Sequence, residues 1–392
     1  MGVFAAGSTA IPLFTTYRTV DGLTDADFSV VTVAYFLCAV LSLLVLGRLS
    51  DHLGRRPVSI AALLLAAAGT LTLTTVHGLW PLLIGRMLQG IAAGLAASAI
   101  AAYAVDTAPR NPKWLVATVT SMAPSFGLSI GVFGSAILVE FAPAPRVLVF
   151  VIVAGLLLVC AGGIAAHPET VRRNPGARRS MVPRLTLPAS VRPFMPVAAA
   201  IFISTWAFGG YVTAFAPSVA SGYLHSTSPV IAAAVFASYQ APGVLGGPLS
   251  GKLRPATAQR LAMGLVVIAA AGFIASLLAG SAVLFIAAGI LGGIGMGMGM
   301  SSSMRILLPL ATPAQRAGLL AVIYAMSYLG AAIPSLIAGQ LTRTLTLLDI
   351  TVGYAALAAV AGVIVLIGAR NPAARASHPT AADASATEDV HG

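Results

Sequence analysis

The sequence predicts an all-α integral membrane protein with 12 transmembrane helices in two six-helix pseudo-repeats. Three observations carry that expectation. Of 392 residues, 58% are hydrophobic and only 8% charged, whereas a soluble domain needs roughly a quarter of its residues charged to build its surface. Apolar stretches of about 20 residues, the length that crosses a hydrocarbon core as a helix, recur along nearly the whole chain. The ten-residue alternation of apolar and polar positions that marks a membrane β-barrel is absent.

The expected spans lie near residues 1 to 17, 28 to 48, 57 to 77, 80 to 104, 114 to 140 and 146 to 166 in the first half of the chain. In the second half they lie near 194 to 220, 229 to 250, 260 to 279, 281 to 304, 315 to 342 and 350 to 369. Each is bounded by short polar punctuation. The first is short, ending before Tyr17 and Arg18, and either the helix is brief or Met1 is an internal start. The 40 glycines and 24 prolines do not argue against these spans. In membrane helices small residues allow close backbone approach, and neighbouring groups satisfy the backbone that a proline frees.

Orientation follows from the basic residues, because cytoplasmic loops retain Lys and Arg. Placing the loop after the second span inside puts eighteen there: Arg48, Arg55, Arg56, Arg110, Lys113, Arg172, Arg173, Arg178, Arg179, Arg184, Arg192, Lys252, Arg254, Arg260, Arg305, Arg316, Arg370 and Arg375. Arg18, Arg146 and Arg343 fall outside. Both termini are then cytoplasmic, with the chain in a bacterial plasma (inner) membrane. The net charge of +11 reads as a topology signal, and nucleic acid is not an expected partner.

Two bundles are expected, 1–166 and 194–370, joined by a basic linker at 167–193 and followed by a disordered tail at 371–392. The linker, with six arginines and several prolines, suits anchoring at anionic lipid. An internal repeat supports the halves: Gly47, Leu49, Ser50 and Leu53 recur as Gly247, Leu249, Ser250 and Leu253, at an offset of 200 residues. Paired halves with a site between them near midplane are a secondary-transporter architecture.

The loop from Gly47 to Pro57 reads Gly-Arg-Leu-Ser-Asp-His-Leu-Gly-Arg-Arg-Pro. It resembles the motif between helices 2 and 3 of the major facilitator superfamily, Gly-x-Leu-x-Asp-x-x-Gly-Arg-Lys/Arg. The likeness covers essentially the whole chain: Arg86-Met-Leu-Gln89-Gly90 resembles that family's Arg-x-x-Gln-Gly element in helix 4, and Pro168-Glu169-Thr170 after helix 6 is also familiar there. The resemblance implies a secondary active transporter that moves a small organic molecule by alternating access. It also implies a conformational latch at Gly47, Asp51, Gly54, Arg55, Arg56 and Asp106, in which Asp51 and Arg55 pair with Asp106 at the end of helix 4. Independently of the family, Gly47 and Gly54 permit a tight turn, and Asp51 can sit at a neighbouring helix N-terminus. In the second half Gly251 replaces the aspartate, so a matching latch is expected to be weaker there.

Arg86 stands well inside a span, about 9 Å from its outer end at 1.5 Å per residue. Inserting such a charge costs about 2.5 to 3.5 kcal/mol on translocon scales, so it is expected to face a cavity or polar partners. The substrate and coupling residues expected are Arg86, Gln89, Trp206 and Tyr239. Tyr103, Tyr211, Gln240, Tyr324, Tyr328 and the methionines at 296, 298 and 300 are further lining candidates. Aromatic and methionine side chains suit amphipathic substrates. In helix 5, Gly127, Gly131 and Gly134 are expected to pack against a neighbour, although the proline of the family exporters' Gly-Pro-x-x-Gly-Gly stretch is missing.

Proton-coupled export is the expected activity, with sugar or metabolite uptake, uniport and a transport-dead sensor as alternatives. No acid lies mid-span; Asp27, Glu140 and Asp349 sit at outer ends, so protons remain a candidate coupling ion through an edge carboxylate and Arg86. No enzyme, cofactor or metal chemistry is expected, because the eleven acids do not converge in or beside the spans. An ATP-driven pump would need a Gly-x-x-x-x-Gly-Lys-Ser/Thr loop, which is missing. The expected partners are a small-molecule substrate and the lipid bilayer, and the expected state is a monomer. Cys38 and Cys160 both fall inside spans and read as packing residues.

Overall fold

A computed structural model describes residues 1–107, 113–171, 174–182 and 187–371, and every regular element among them is helical. Arg110, Arg172, Arg173, Arg184, Arg375 and the expected tail from residue 372 lie outside the described residues.

In chain order the first group of helices is α1 (Gly2–Ala6), α2 (Phe14–Asp21), α3 (Asp25–Leu46), α4 (Ser50–Leu53), α5 (Arg55–Thr72), α6 (Leu79–Leu95), α7 (Ala101–Thr107), α8 (Lys113–Phe141) and α9 (Leu148–Ala166). A short α10 (Ala177–Ser180) lies in the connecting segment. The second group is α11 (Met195–Gly222), α12 (Pro229–Gln240), α13 (Gly243–Gly251), α14 (Pro255–Ala279), α15 (Ala282–Leu310), α16 (Pro313–Leu341) and α17 (Leu347–Gly368). Among the described residues, eleven helical stretches are long and apolar enough to cross a membrane. We call the end of the bundle where α3 meets α4 the basic face, and the opposite end the far face.

Two expected spans are interrupted. The first is not one helix over 1 to 17: α1 stops at Ala6, turns through 7–10, and resumes by a 3₁₀ turn at Ile11–Leu13 before α2. Pro12 opens that turn without needing an amide partner. The freed backbone is satisfied by neighbours, since the Ser135 hydroxyl donates to the Thr9 carbonyl at 2.6 Å and Arg86 donates to that of Gly7. The span at 229 to 250 breaks between α12 and α13, where Pro242 removes a helical donor. A π-helical turn at Ala96–Ile100 joins α6 to α7.

The two groups meet chiefly through α3 against α16 and α8 against α12. A large apolar surface faces outward, with Val159 72% and Ile367 82% exposed, as lipid contact requires. Cys160 lies on that surface rather than in a packed interior, and Cys38 is half-buried. Among the three glycines of helix α8, Gly127 and Gly131 lie against α1, but Gly134 is exposed with open space beside it, so it packs no helix. Asp27 and Asp349, two of the edge acids, cap their own helices: each carboxylate accepts from the backbone amide and hydroxyl of the threonine three residues before it.

Candidate functional site

Arg86 and Gln89 lie three residues apart on α6 and therefore share a face. Small residues bring two other helices, α5 and α3, against that face. A side chain at Gly69 would strike the Gly85 carbonyl at 2.8 Å and Leu88 at 2.9 Å, so α5 and α6 approach as only glycine allows. This closeness sets Thr70 beside Gln89, whose Nε2 donates to the Thr70 hydroxyl at 3.2 Å. Gly90 lies against the backbone of Tyr35 in the same way, drawing α3 onto α6 and placing the Tyr35 ring 4.4 Å from the Arg86 guanidinium carbon. The break in the first span delivers the Gly7 carbonyl, which accepts from Arg86 Nη1, and the same nitrogen reaches Gln89 Oε1 at 3.3 Å. Arg86 is 1% exposed and Gln89 fully buried.

From Tyr35 an aromatic run leads into the second group. Ring centroids step 5.5 Å to Phe36, 6.0 Å to Tyr328 on α16 and 4.9 Å to Trp206 on α11. Three of the four expected substrate residues, Arg86, Gln89 and Trp206, thus stand at the two ends of one contiguous chain of contacts. Tyr239 is not with them. Its hydroxyl donates to the Thr205 carbonyl at 2.7 Å, and its ring packs beside Phe208 in a separate cluster with Phe273 and Tyr354. A buried phenol needs one partner, and this one has found it in the backbone of α11.

At the basic face Arg55 joins two acids. Its Nη1 lies 2.6 Å from Asp51 and its Nε 3.3 Å from Asp106, and Asp106 also accepts from the Thr170 hydroxyl at 2.9 Å. The anion at the N-terminus of the neighbouring helix α5 is not Asp51, as expected, but Glu169. Its carboxylate accepts from the backbone amides of Arg55 at 2.8 Å and Arg56 at 3.1 Å, the first two residues of α5. Asp51 is instead on α4, turned to Arg55. Gly54 fits this corner because its φ is +106° and an added side chain would run into Glu169. Gly47, by contrast, has an ordinary helical φ of −58°. The Arg56 guanidinium donates to the Ala165 carbonyl at the end of α9. In the second group Arg305, near the end of α15, donates to the carbonyls of Ser250 at 2.6 Å and Leu253 at 3.2 Å. There a cation near the end of α15 grips the end of α13 and the residues after it, where in the first group Arg55 at the start of α5 meets an acid near the end of α7.

The far face carries ties between the groups that sequence reasoning missed. Arg18 pairs with Asp25, and the Ser218 hydroxyl of α11 donates to the same Asp25 oxygen at 2.6 Å. Glu140, at the end of α8, accepts from the Ser228 hydroxyl at 2.8 Å and from the Val230 amide at 3.3 Å, both at the start of α12. Arg146 closes the first group on itself through Asp21 at 2.5 Å and the Val76 carbonyl. The two ties between the groups, Ser218 to Asp25 and Ser228 to Glu140, join positions 193 and 88 residues apart, for which the sequence offers only one signal, Pro229 behind Ser228.

A solved structure of the nucleoside transporter NupG shares the fold, with a TM-score of 0.69 over 94% of this chain and 98% of that one at 13% identity. Local sequence similarity reaches the tetracycline resistance protein, class B, of Escherichia coli, at 36% identity over 104 residues, 26% of this chain and 25% of that protein. The inner membrane transport protein YajR of Escherichia coli is 29% identical over 124 residues, 31% of this chain and 26% of that one. Facilitated glucose transporter member 12 of solute carrier family 2 from Danio rerio is 34% identical over 85 residues, 22% and 14% of the two chains. These matches span about a quarter or less of those relatives. The profile of the Major Facilitator Superfamily, in contrast, matches residues 1–284, which include the Asp51–Arg55–Asp106 corner and the Arg86–Gln89 face. This multi-pass helical chain is a member of the Major Facilitator Superfamily of transporters.

Proposed function

We propose that the chain is a monomeric secondary active carrier of a bacterial plasma membrane, exporting an amphipathic organic molecule against a proton gradient by alternating access. Twelve crossings form two groups of six, 1–166 and 194–370, with the broken α1–α2 segment as the first crossing and both termini cytoplasmic. The observation that carries the reading is Arg86: a charge 1% exposed inside the membrane, on the polar end of an aromatic run that reaches Trp206 in the other group. A charge so costly to insert is a site by default, and a cation beside aromatic rings suits an amphipathic solute. Asp51, Arg55 and Asp106 serve as the latch on the basic face. Asp25 and Glu140 hold the far face closed, since their carboxylates bridge the two groups. The resemblance to glucose transporter member 12 supports a second reading, uptake of a sugar or metabolite at the same site.

The test is transport in proteoliposomes with an imposed pH gradient, comparing wild type with Arg86→Ala against amphipathic drugs and sugars. Gradient-dependent flux of a drug that Arg86→Ala abolishes is the expected result. A flux undiminished in Arg86→Ala would remove the site assignment, and sugar flux without drug flux would favour the second reading.

A further inference from the structure

Four ion pairs between arginines and aspartates lie among the described residues, and none of them includes Arg86. The eight acids there are all engaged elsewhere. Asp21 meets Arg146, Asp25 meets Arg18 and Ser218, Glu140 caps α12, and Asp27 and Asp349 cap α3 and α17. Asp51, Asp106 and Glu169 gather around Arg55 at the basic face. Arg86 is therefore a desolvated cation without a counter-ion among the described residues, which is the costly half of a buried ion pair.

Its donors are only partly used. A guanidinium offers five N–H groups in one plane. Nη1 reaches the Gly7 carbonyl and Gln89 Oε1, but Nε is buried with no acceptor. Gln89 cannot rotate to supply more, because its amide nitrogen is committed to Thr70 and the Thr70 hydroxyl to the Ala66 carbonyl at 2.7 Å. The ring of Tyr35 covers one flank of the guanidinium and begins the apolar path towards Tyr328 and Trp206. What this arrangement lacks is an oxyanion that brings negative charge and a planar pair of acceptors.

We infer that the substrate is an organic anion, an aromatic or apolar body bearing a carboxylate or phosphate that pairs with Arg86 while its body lies along Tyr35, Tyr328 and Trp206. The inference rests on the carrier reading above and adds a charge to the amphipathic molecule named there.

The test uses the full chain in phosphatidylcholine nanodiscs, so that no anionic lipid supplies the oxyanion. Thermal unfolding is followed with indole-3-acetate against its neutral amide, and with benzyl phosphate against benzyl alcohol, each to about 10 mM, since a ligand of the folded state stabilises it by RT ln(1 + [L]/Kd). At least one anion should bind about tenfold or more tightly than its neutral counterpart, a difference of about 1.4 kcal/mol. Arg86→Gln should erase that preference and Arg86→Lys should keep part of it. Equal affinity of anion and neutral partner for wild type overturns the inference without any variant, as does a preference that survives Arg86→Gln, or the absence of binding by every anion. Flux of a neutral or cationic solute with no preference for its anionic analogue would remove the anion and leave the carrier standing. An anion held through Arg86 that never crosses a proteoliposome would do the reverse.

Discussion

Glu140 of α8 caps a helix it does not belong to: its carboxylate accepts a 2.8 Å hydrogen bond from the Ser228 hydroxyl and a 3.3 Å bond from the Val230 amide at the start of α12. Ser228 has no side-chain cap of its own to offer α12. An anion at a helix N-terminus is favoured by the macrodipole as well as by the orphan amides, so the tie is strongest when the two groups are together at the far face and is lost when they part.

Weakening that tie should therefore shift the population of states. A hydrogen bond to a charged group contributes about 1.5 to 3 kcal/mol when intact, less where solvent reaches it, so Glu140→Gln should raise far-face opening by a factor of about 5 to 10. A cysteine placed at Thr32, buried on α3, in a chain lacking Cys38 and Cys160, reports this by its rate of labelling with an impermeant maleimide. Unchanged labelling in both Glu140→Gln and Ser228→Ala would show that the contact does not hold the face closed.

The glycines of α8 provide opposite outcomes from one substitution. An added methyl at Gly131 would run into Ala5 and Ser8 of the broken first segment, while at Gly134 it would meet nothing within 4 Å. Gly131→Ala should lower the melting temperature by several degrees, in line with about 1 to 3 kcal/mol for overpacking. Gly134→Ala should leave it unchanged or raise it slightly, because alanine is the better helix former. Equal effects would mean that α1 is not seated on α8.

Much of the fold is legible in the sequence because one physical requirement, satisfying every backbone group within lipid, turns apolar runs into helices. The same requirement hides the break at 7–10, since Arg86 and Ser135 satisfy its carbonyls from far along the chain and leave no local trace beyond Gly7 and Pro12. Arg86 and Gln89 are legible as a buried polar pair by their spacing and by the rarity of charge inside a span. Tyr239 misleads because a tyrosine in an apolar helix looks the same whether its hydroxyl meets a cavity or the Thr205 carbonyl. Glu169 is missed for a related reason: its capping of α5 joins residues 114 apart, and only the three-dimensional return of α9 to the basic face reveals it.

At that corner the acid and the glycine act together. Glu169→Gln keeps an acceptor but loses the charge at the start of α5, a change of about 0.3 to 1 kcal/mol, up to about 2 where partly buried. Gly54→Ala must hold φ at +106° and displace the same carboxylate, so it should be the more damaging of the two by melting temperature. Because the two variants share one partner, their effects should not add. A double variant whose loss equals the sum of the singles would separate Gly54 from Glu169.

Tyr239 and Trp206 should part company in function. Tyr239→Phe removes the hydroxyl from a fully buried phenol and leaves the Thr205 carbonyl without that donor, costing about 1 kcal/mol of stability. Its ring lies in the Phe208 cluster, away from the run that ends at Arg86, so affinity for a transported solute should stay within about twofold of wild type, under 0.5 kcal/mol. Trp206→Ala removes the far end of that run, 4.9 Å from Tyr328. It should weaken binding by about tenfold, since truncating a buried aromatic anchor commonly costs more than 1 kcal/mol. Isothermal titration of both variants with one solute, alongside their melting curves, separates the two effects. A Tyr239→Phe variant that melts normally but binds poorly would return Tyr239 to the substrate path.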